Sequence, residues 1–246
     1  MKRFENKNVI ISGGNSGIGL ETVKLFSEEG ASVCVLDLAK DINPELANAK
    51  NIHYQKCDIS NNSEVQAAFQ NAIATLGKLD IAVNNAGILG PRVRLEEYPD
   101  EDFDQVIKVN VNGVFYGMKA AITHFKEVGG GVIVNTASVA GKVGMGRHIA
   151  YSASKHAVLG MTKSAAVEVA KYKIRVNSVC PGFTDTAMLE TTDTEPEFKE
   201  MLRYATPMRR FAQPSEIATA ILFLASSESS FMTGQGIVLD GGLSAQ

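Results

Sequence analysis

Tyr151 and Lys155 lie four residues apart and form a pair that could exchange a proton with a substrate. Residues at this spacing lie one turn apart on the same face of a helix. A lysine ammonium beside a phenol stabilises the phenolate and lowers the tyrosine pKa from its usual value of about 10. A phenol poised nearer neutrality can act as a general acid or base toward a hydroxyl group. Because such pairs are also common on helix surfaces, this one needs support from other residues.

Two further polar residues supply that support. Ser138 lies at the end of an apolar, strand-like run, where its hydroxyl could hold a substrate oxygen. Asn110 interrupts an otherwise good helical segment, and asparagine has only mediocre helix propensity. It could hold a water molecule or a local break near the lysine, or it could be an ordinary hydrogen-bonded packing residue.

A glycine-rich turn follows the first apolar run and contains Gly13, Asn15, Ser16, Gly17, Ile18 and Gly19. The glycines allow a tight turn and a close approach of the backbone to phosphate. The helix predicted after them offers free N–H groups and the positive end of its dipole. The spacing is GxxxGxG rather than GxGxxG, so the turn alone is weak evidence of nucleotide binding.

Two aspartates end strand-like runs near this turn. Asp37 could accept hydrogen bonds from both hydroxyls of an adenosine ribose, or it could be an ordinary turn residue. Its carboxylate would repel a 2′-phosphate, which favours NAD over NADP, although Lys40 could offset part of that repulsion. Asp58 ends another run on the same side and could accept from the adenine amino group or cap the next helix.

The elements that must position these residues alternate along the chain. Helical patterns cover 63–76, 102–125, 152–172 and 214–225. Ser63 followed by Gln66, with Asn61 and Asn62 just before them, indicates the start of the first helix. Such alternation predicts a doubly wound, Rossmann-type α/β fold with a seven-stranded parallel sheet and helices on both faces. The apolar, Val- and Ile-rich runs are 8–13, 31–37, 52–58, 79–87, 131–138, 174–182 and 236–240.

No linker or repeat divides the chain, so we expect one domain over residues 1–246. The irregular stretch 183–213 is long for a compact domain and is predicted to be a substrate lid. The segment 38–51 is too short and too broken by proline for a full crossover helix.

Composition excludes several functions. The net charge of −3, with no basic run, argues against nucleic-acid binding. No signal peptide and no apolar run of roughly 18 to 20 residues is present, so no membrane span and a cytoplasmic protein are expected. Cys34, Cys57 and Cys180 are dispersed, which favours buried thiols over a disulfide or a metal site.

Four motifs occur in order: Gly13-x-x-x-Gly17-Ile18-Gly19, Asn84-Asn85-Ala86-Gly87, Ser138 with Tyr151-x-x-x-Lys155, and Pro181-Gly182. Together they are highly specific, and over its whole length the sequence resembles the short-chain dehydrogenase/reductase family in its single-domain branch. Departures are small: Ser12 stands where threonine is usual and keeps the hydroxyl, and Thr184 stands where isoleucine or valine is usual.

The resemblance implies a role for each matching residue. Tyr151 resembles the catalytic acid/base, Lys155 the residue that lowers its pKa and binds the nicotinamide ribose, Ser138 the donor to the substrate oxygen, and Asn110 the anchor of a relay water. It also implies that NAD binds along Gly13, Asn15, Ser16, Gly17, Ile18, Gly19, Asp37, Leu38, Cys57, Asp58, Ile59, Asn85, Ala86, Gly87, Tyr151, Lys155, Pro181, Gly182, Thr184 and Thr186.

The expected activity is NAD-dependent hydride transfer between nicotinamide and a small-molecule secondary alcohol or ketone. Apolar loop residues hint at a hydrophobic or cyclic substrate, and His148 could touch it or could be a solvated loop residue. The predicted substrate contacts are Ser138, Met145, His148, Tyr151, Phe183 and Met188, with Leu89, Val139 and Leu189 in the same loops.

The family commonly forms homotetramers, and small residues such as Ala157 and Gly160 fit packing between subunits or within one chain. Two alternatives to a dehydrogenase stay open. One is a non-catalytic NAD-binding sensor or scaffold, for which the tyrosine–lysine pair would have no use. The other is a lyase or epimerase that uses transient oxidation. The substrate, the direction of reaction and its stereochemistry do not follow from the sequence.

Overall fold

The computed structural model describes residues 2–190 and 196–246 and contains one parallel sheet of seven strands in the order β3-β2-β1-β4-β5-β6-β7. This is the doubly wound α/β sheet predicted from the sequence. The order reverses beside β1, which leaves a crevice at the carboxyl ends of β1 and β4. The strands are β1 (Asn8–Ser12), β2 (Ser32–Asp37), β3 (Ile52–Lys56), β4 (Ile81–Asn84), β5 (Gly131–Thr136), β6 (Ile174–Pro181) and β7 (Gly236–Leu239).

Helices cover both faces of the sheet. Alternate strand residues feed two apolar clusters: Ile10 packs on the face of α2, α4 and α5, while Val9 and Ile11 pack on the face of α1 and α8. This period of two explains why the central strands β1, β2 and β4 are apolar on both faces. The helices are α1 (Gly17–Glu28), α2 (Asn62–Leu76), α3 (Asp100–Ile107), α4 (Gly113–Val128), α5 (Ile149–Val169), α6 (Ala187–Glu190), α7 (Pro196–Ala205) and α8 (Pro214–Ala225).

Several predicted boundaries are corrected. The apolar runs overestimate the strands because their last residues leave the hydrogen-bonded ladder to form turns; residues 85–87, for example, follow the end of β4. The helix predicted over 102–125 contains a π-helical turn, Lys108–Asn112. Helix α2 is capped by Asn61, which accepts from the backbone of Ser63 and Glu64, so neither Ser63 nor Asp58 is its cap.

Two connections differ from a regular crossover. No helix joins β2 to β3, as the proline-broken sequence predicts. Between β6 and α8 the chain forms α6 and α7. The two ends of this connection meet where Thr184 forms a parallel β-bridge with Ala212. Residues 191–195 of the predicted lid lie outside the described residues.

Within the described ranges, no helix is long and apolar enough to cross a membrane. The same residues hold no cluster of three or more histidine, cysteine, aspartate or glutamate side chains that could hold a metal ion. All three cysteines are buried and free, which confirms the expectation of core thiols.

Candidate active site

A cavity of about 840 Å³ opens at the carboxyl ends of the strands and collects most of the predicted site. The serine, tyrosine and lysine of the candidate constellation line it together with the glycine-rich turn. From the predicted cofactor set its wall includes Gly13, Ser16, Gly17, Ile18, Asp37, Leu38, Cys57, Asp58, Ile59, Asn85, Ala86, Gly87, Tyr151, Lys155, Pro181, Gly182, Thr184 and Thr186.

The glycine-rich turn brings backbone close to backbone. Gly13 has φ +66°, and a Cβ there would lie 2.6 Å from the Cα of Ala86. A Cβ on Gly19 would overlap the carbonyl oxygen of Gly13, so the glycine in α1 is needed for packing, and Gly19 does not line the cavity. Helix α1 begins at Gly17 without a side-chain cap, which leaves the N–H groups of its first turn available to an anion.

Asp37 lies at the rim of the cavity and holds the glycine-rich turn. Its carboxylate accepts from the backbone N–H of Asn15 at 3.1 Å and of Ala39 at 3.2 Å. The side chain of Asn15 does not line the cavity; it binds the carbonyl of Asp41 and accepts from the N–H of Asn43 at 2.6 Å. Asn15 therefore ties the turn to the loop after β2.

The motif after β4 is fixed by side-chain amides and hydroxyls. Ser12 accepts from the backbone of Asn85 at 3.1 Å and of Ala86 at 3.3 Å, so the serine retains the hydroxyl that this position needs. Asn85 donates to the carbonyl of Gly13 and accepts from Thr136. These bonds lock β1, β4 and β5 together directly under the cavity.

Ser138 and Tyr151 form the polar base of the cavity. Ser138 follows β5 and accepts from the N–H of Ala140 at 3.1 Å. Burial raises the pKa of the Tyr151 phenol, and its hydrogen bond with Ser138 acts in the opposite direction. The two hydroxyls are therefore close enough to share one substrate oxygen.

Lys155 lies one helical turn after Tyr151, with its Nζ 5.5 Å from the centre of the tyrosine ring. The lysine is buried, and its Nζ donates to the carbonyl of Thr136 at 2.8 Å. Burial lowers the pKa of Lys155 to about 8. Burial disfavours the charged form of each group, so it raises the pKa of Tyr151 and lowers that of Lys155; that the lysine lowers the tyrosine pKa stays a prediction.

Asn110 is fully buried in the π-helical turn, which meets the expectation of a local break. Its side chain exchanges two hydrogen bonds of 2.8 Å with the backbone of Ile88 and donates to Ser154 at 3.0 Å. Ser154 in turn donates to the carbonyl of Tyr151 at 2.7 Å. Asn110 does not line the cavity; it connects the loop after β4 to the turn that carries the tyrosine.

The side of the cavity beyond Ser138 and Tyr151 is apolar. Three of the predicted substrate contacts, Met145, Phe183 and Met188, lie on this wall, with Leu89, Val139, Leu189, Phe198 and Leu202.

His148 is the exception among the predicted substrate contacts. It is 2% exposed and does not line the cavity, so the prediction of a substrate contact and the alternative of a solvated loop residue are both wrong. Its Nδ1 lies 3.1 Å from the carbonyl of Gly146, and its Nε2 has no hydrogen-bond partner in the described part of the chain. Burial lowers the pKa of this imidazole.

Several residues of the cavity wall were not singled out from the sequence, Phe198 and Leu202 of α7 among them. Gln105 enters the cavity wall from α3, and Leu243, Ser244 and Gln246 enter it from beyond β7. No sequence signal marks them, since their place depends on how distant segments pack.

A second cavity, of about 890 Å³, opens at the amino ends of β1, β4, β5 and β6. Arg3, Lys78, Lys173 and Phe231 are among its lining residues. It includes none of the glycine-rich turn and none of the serine–tyrosine–lysine set, so it is not the candidate active site.

Comparisons with known proteins agree with this geometry. The family model described as enoyl-(acyl carrier protein) reductase matches residues 13–244. The chain is a short-chain dehydrogenase/reductase.

This short-chain dehydrogenase/reductase is 41% identical to an uncharacterized oxidoreductase of Thermotoga maritima, over 98% of this chain and 99% of that protein. It is 40% identical to a cyclohexanol dehydrogenase of Acinetobacter sp. strain SE19, over 97% and 95% of the two chains. A solved 3-ketoacyl-(acyl-carrier-protein) reductase from Brucella melitensis, complexed with NADH, has a TM-score of 0.93 and 35% identity, over 98% and 99%. The protein therefore belongs to an oxidoreductase family whose curated relatives include dehydrogenases and reductases.

Proposed function

We propose that this protein catalyses NAD-dependent hydride transfer between nicotinamide and a secondary alcohol or ketone, with a hydrophobic, cyclic substrate. One observation carries the proposal. Ser138, Tyr151 and Lys155 lie at the base of the same cavity whose other end is formed by the glycine-rich turn and Asp37. A nucleotide site and a proton-exchange site therefore share one space.

The residues present fit a dinucleotide. The uncapped first turn of α1 and the close backbone packing at Gly13 suit a pyrophosphate. Asp37 would accept from the adenosine ribose, and Asp58 would accept from the adenine. The Cγ2 of Thr186 would lie 3.1 Å from a Cβ placed on Gly17, so the loop after β6 would cover a cofactor held at the glycine-rich turn.

The chain's own residues would handle the proton. A bound nicotinamide supplies the hydride acceptor or donor. In the oxidation direction, Tyr151 as phenolate takes the hydroxyl proton of the alcohol while the carbinol hydride leaves. Ser138 donates to the substrate oxygen as its charge changes. The positive charges of Lys155 and of an oxidised nicotinamide would lower the pKa of Tyr151, opposing the effect of burial.

Asn110 would serve the proton path through its backbone. Its side-chain amide is already bonded to Ile88 and Ser154. A π-helical turn interrupts the regular α-helical hydrogen bonding, so the main chain of this turn would hold a relay water near Lys155.

The preference for NAD over NADP rests on Asp37. Its carboxylate is held at the rim by two backbone N–H groups, where it would face a 2′-phosphate. Lys40 is exposed, so solvent screens its charge and weakens its compensation.

The substrate class rests on the apolar wall. Within the described residues, the charged side chains of the cavity wall are Asp37, Asp58 and Lys155. All three belong to the proposed cofactor or proton-transfer groups, so no cation is left to bind a carboxylate or phosphate of the substrate. The cyclohexanol dehydrogenase among the relatives supports a ring alcohol.

The proposal also covers the domain organisation and the oligomeric state. We propose one domain over residues 1–246, with 183–213 acting as a lid, and a homotetramer in solution. Exposed apolar side chains on α4 and α5, such as Phe115 and Val167, support contacts between subunits. Light scattering after size-exclusion chromatography tests the assembly, and a monomer at working concentration would overturn it.

The direct test measures NADH formation by absorbance with a panel of cyclic, aliphatic, steroidal, sugar and hydroxy-acid alcohols, with NAD and NADP in parallel. Ketones and a 3-oxoacyl thioester with NADH cover the reverse direction. We expect turnover of a ring alcohol with NAD. Binding of NAD without any turnover would instead favour a sensor or scaffold.

Tyr151→Phe is the decisive variant. We expect it to abolish turnover while calorimetry gives the same affinity for NAD, because the phenol hydroxyl is lost and the ring remains. Tyr172→Phe, at an exposed tyrosine beyond α5, is the matched control and should keep full activity. A Tyr151→Phe protein with the wild-type rate would refute the acid/base role.

A further inference from the structure

Residues 38–51, all of which the structure describes, join β2 to β3 without a helix and form one side of the proposed nucleotide site. Leu38 begins this loop and lines the cavity, and its apolar side chain is 64% exposed. Asp37, the last residue of β2, lines the same wall. Because no helical hydrogen bonds run along the loop, other contacts must fix its conformation.

Asn15 of the glycine-rich turn supplies such contacts. Its side chain donates to the carbonyl of Asp41 at 2.9 Å and accepts from the backbone N–H of Asn43 at 2.6 Å. The side chain of Asn43 donates in return to the backbone carbonyl of Asn15 at 3.1 Å. These three hydrogen bonds join the turn to the loop, and we call them the clasp.

The position of Asn43 is itself fixed by its neighbours in the loop. Its side-chain oxygen accepts from the N–H of Glu45 at 3.0 Å, and its carbonyl accepts from the N–H of Leu46 at 2.9 Å. Leu46 is buried in the apolar cluster on the α1 face of the sheet. The loop is therefore anchored in the core beside Asn43, and the clasp passes that anchorage on to the glycine-rich turn.

The clasp also bears on Asp37. One oxygen of its carboxylate accepts from the N–H of Asn15 in the turn, and the other accepts from the N–H of Ala39 in the loop. The orientation of the carboxylate therefore depends on two segments that the clasp holds together. If the loop moved away from the turn, the two N–H groups would separate and Asp37 would lose one of them.

We propose that the clasp preorganises the adenosine end of the nucleotide site before any cofactor binds. Asn15 and Asn43 are positioning residues in this role, since their side chains act through Asp37 and the turn. The inference rests on the proposed function for its ligand, an adenine dinucleotide. A site that already has the bound conformation does not lose affinity to the ordering of its loops. Without the clasp, the apparent Kd rises by the inverse of the fraction of molecules that keep this conformation.

The expected effect is on cofactor affinity rather than on the chemical step. If Asn43→Ala lowers the competent fraction to about a tenth, the Kd for NAD rises about tenfold, equivalent to about 1.4 kcal/mol. ADP-ribose keeps the adenosine and the pyrophosphate but lacks nicotinamide. Its Kd should rise by the same factor, because the clasp acts at the adenosine end. At saturating NAD, kcat should change less than about twofold.

The experiment compares wild type with Asn15→Ala, Asn43→Ala and Asn43→Ser. The serine keeps a short side-chain oxygen that can accept from the N–H of Glu45, but it is too short to donate to Asn15. It therefore separates the clasp from the local turn of the loop. Asn48→Ala removes an exposed asparagine from the same loop and is the matched control.

Two measurements require no turnover. Calorimetry gives the affinities for NAD and ADP-ribose. Hydrogen exchange followed by mass spectrometry, without cofactor, reports the opening of residues 38–51, with peptides from α5 as the internal reference. We expect all three clasp variants to bind both ligands more weakly and to exchange faster in 38–51 alone, while Asn48→Ala matches wild type.

Several results would overturn the proposal. Wild-type affinity for ADP-ribose in Asn15→Ala and Asn43→Ala would show that the clasp does not prepare the site. Wild-type affinity in Asn43→Ser would assign the effect to the local turn instead. Faster exchange in α5 as well would show a general loss of stability.

The same data separate this inference from the proposed function. A wild type that binds NAD but converts no alcohol or ketone would defeat the proposed reaction, and the ADP-ribose affinities would still decide the role of the clasp. A wild type that binds neither NAD nor ADP-ribose would overturn both.

Discussion

Replacing Asn110 by alanine should destabilise the fold and disturb the catalytic turn together. The substitution removes the acceptor for the N–H of Ile88, the donor to its carbonyl and the donor to Ser154. Because Asn110 is fully buried, water cannot readily replace these bonds. Ser154 keeps its hydrogen bond to the carbonyl of Tyr151. The groups left without a partner are therefore mainly the backbone N–H and carbonyl of Ile88.

The loss in the free energy of unfolding can be worked out from these two unpartnered backbone groups. A buried polar group left without a partner costs about 1–3 kcal/mol. Two such groups predict a loss of about 2–6 kcal/mol in the free energy of unfolding, toward the lower end because Ile88 is only half-buried. Total stabilities of folded domains are typically about 5–15 kcal/mol, so the variant should fold but with a clearly lower midpoint.

Urea unfolding followed by circular dichroism at fixed protein concentration measures this loss. Asn112→Ala is the matched control, since Asn112 ends the same π-helical turn and its side chain does not cap the next helix. The control should change the free energy of unfolding by less than about 0.5 kcal/mol. Equal stabilities of Asn110→Ala and Asn112→Ala would refute the view that this side chain ties Ile88 to the tyrosine turn.

Three further outcomes follow from the site. Burial lowers the pKa of Lys155 to about 8, so above that pH the unfolded chain binds more protons than the folded protein. In urea titrations, the stability of wild type relative to Lys155→Met should therefore rise by about 1.4 kcal/mol per pH unit between about pH 8 and about pH 9.5. A stability difference that does not change with pH would contradict the pKa shift. Asp37→Ala should raise the ratio of NADP to NAD turnover by about tenfold or more by removing the charge that faces a 2′-phosphate, and an unchanged ratio would mean that other groups select the cofactor. Gly19→Ala should lower the free energy of unfolding by about 1–3 kcal/mol, because its Cβ would overlap the Gly13 carbonyl; thermal unfolding at the wild-type midpoint would disprove the close approach.

The sequence determined the architecture because its signals are local and periodic. Runs such as 31–37 are apolar on both faces over Val33, Cys34, Val35 and Leu36, and a covered parallel strand suits that pattern. The glycine-rich turn, Asp37 and the Tyr151–Lys155 spacing each follow from short stretches whose conformation is fixed nearby. The missing helix between β2 and β3 could be predicted for the same reason, since proline and chain length are local properties.

Tertiary structure decided everything that depends on contacts between distant segments. Asn110 could have been a packing residue or a break, and only the approach of Ile88 and Ser154 shows that it joins the loop after β4 to the first turns of α5. His148 sits three residues before Tyr151, yet packing buries its imidazole behind the wall rather than in the cavity. No sequence signal places Leu243, Ser244 and Gln246 at the site, because the cavity wall that they line forms only once distant segments pack together. Burial raises the pKa of the Tyr151 phenol, an effect that the spacing of two residues does not reveal, because desolvation depends on the whole surrounding fold.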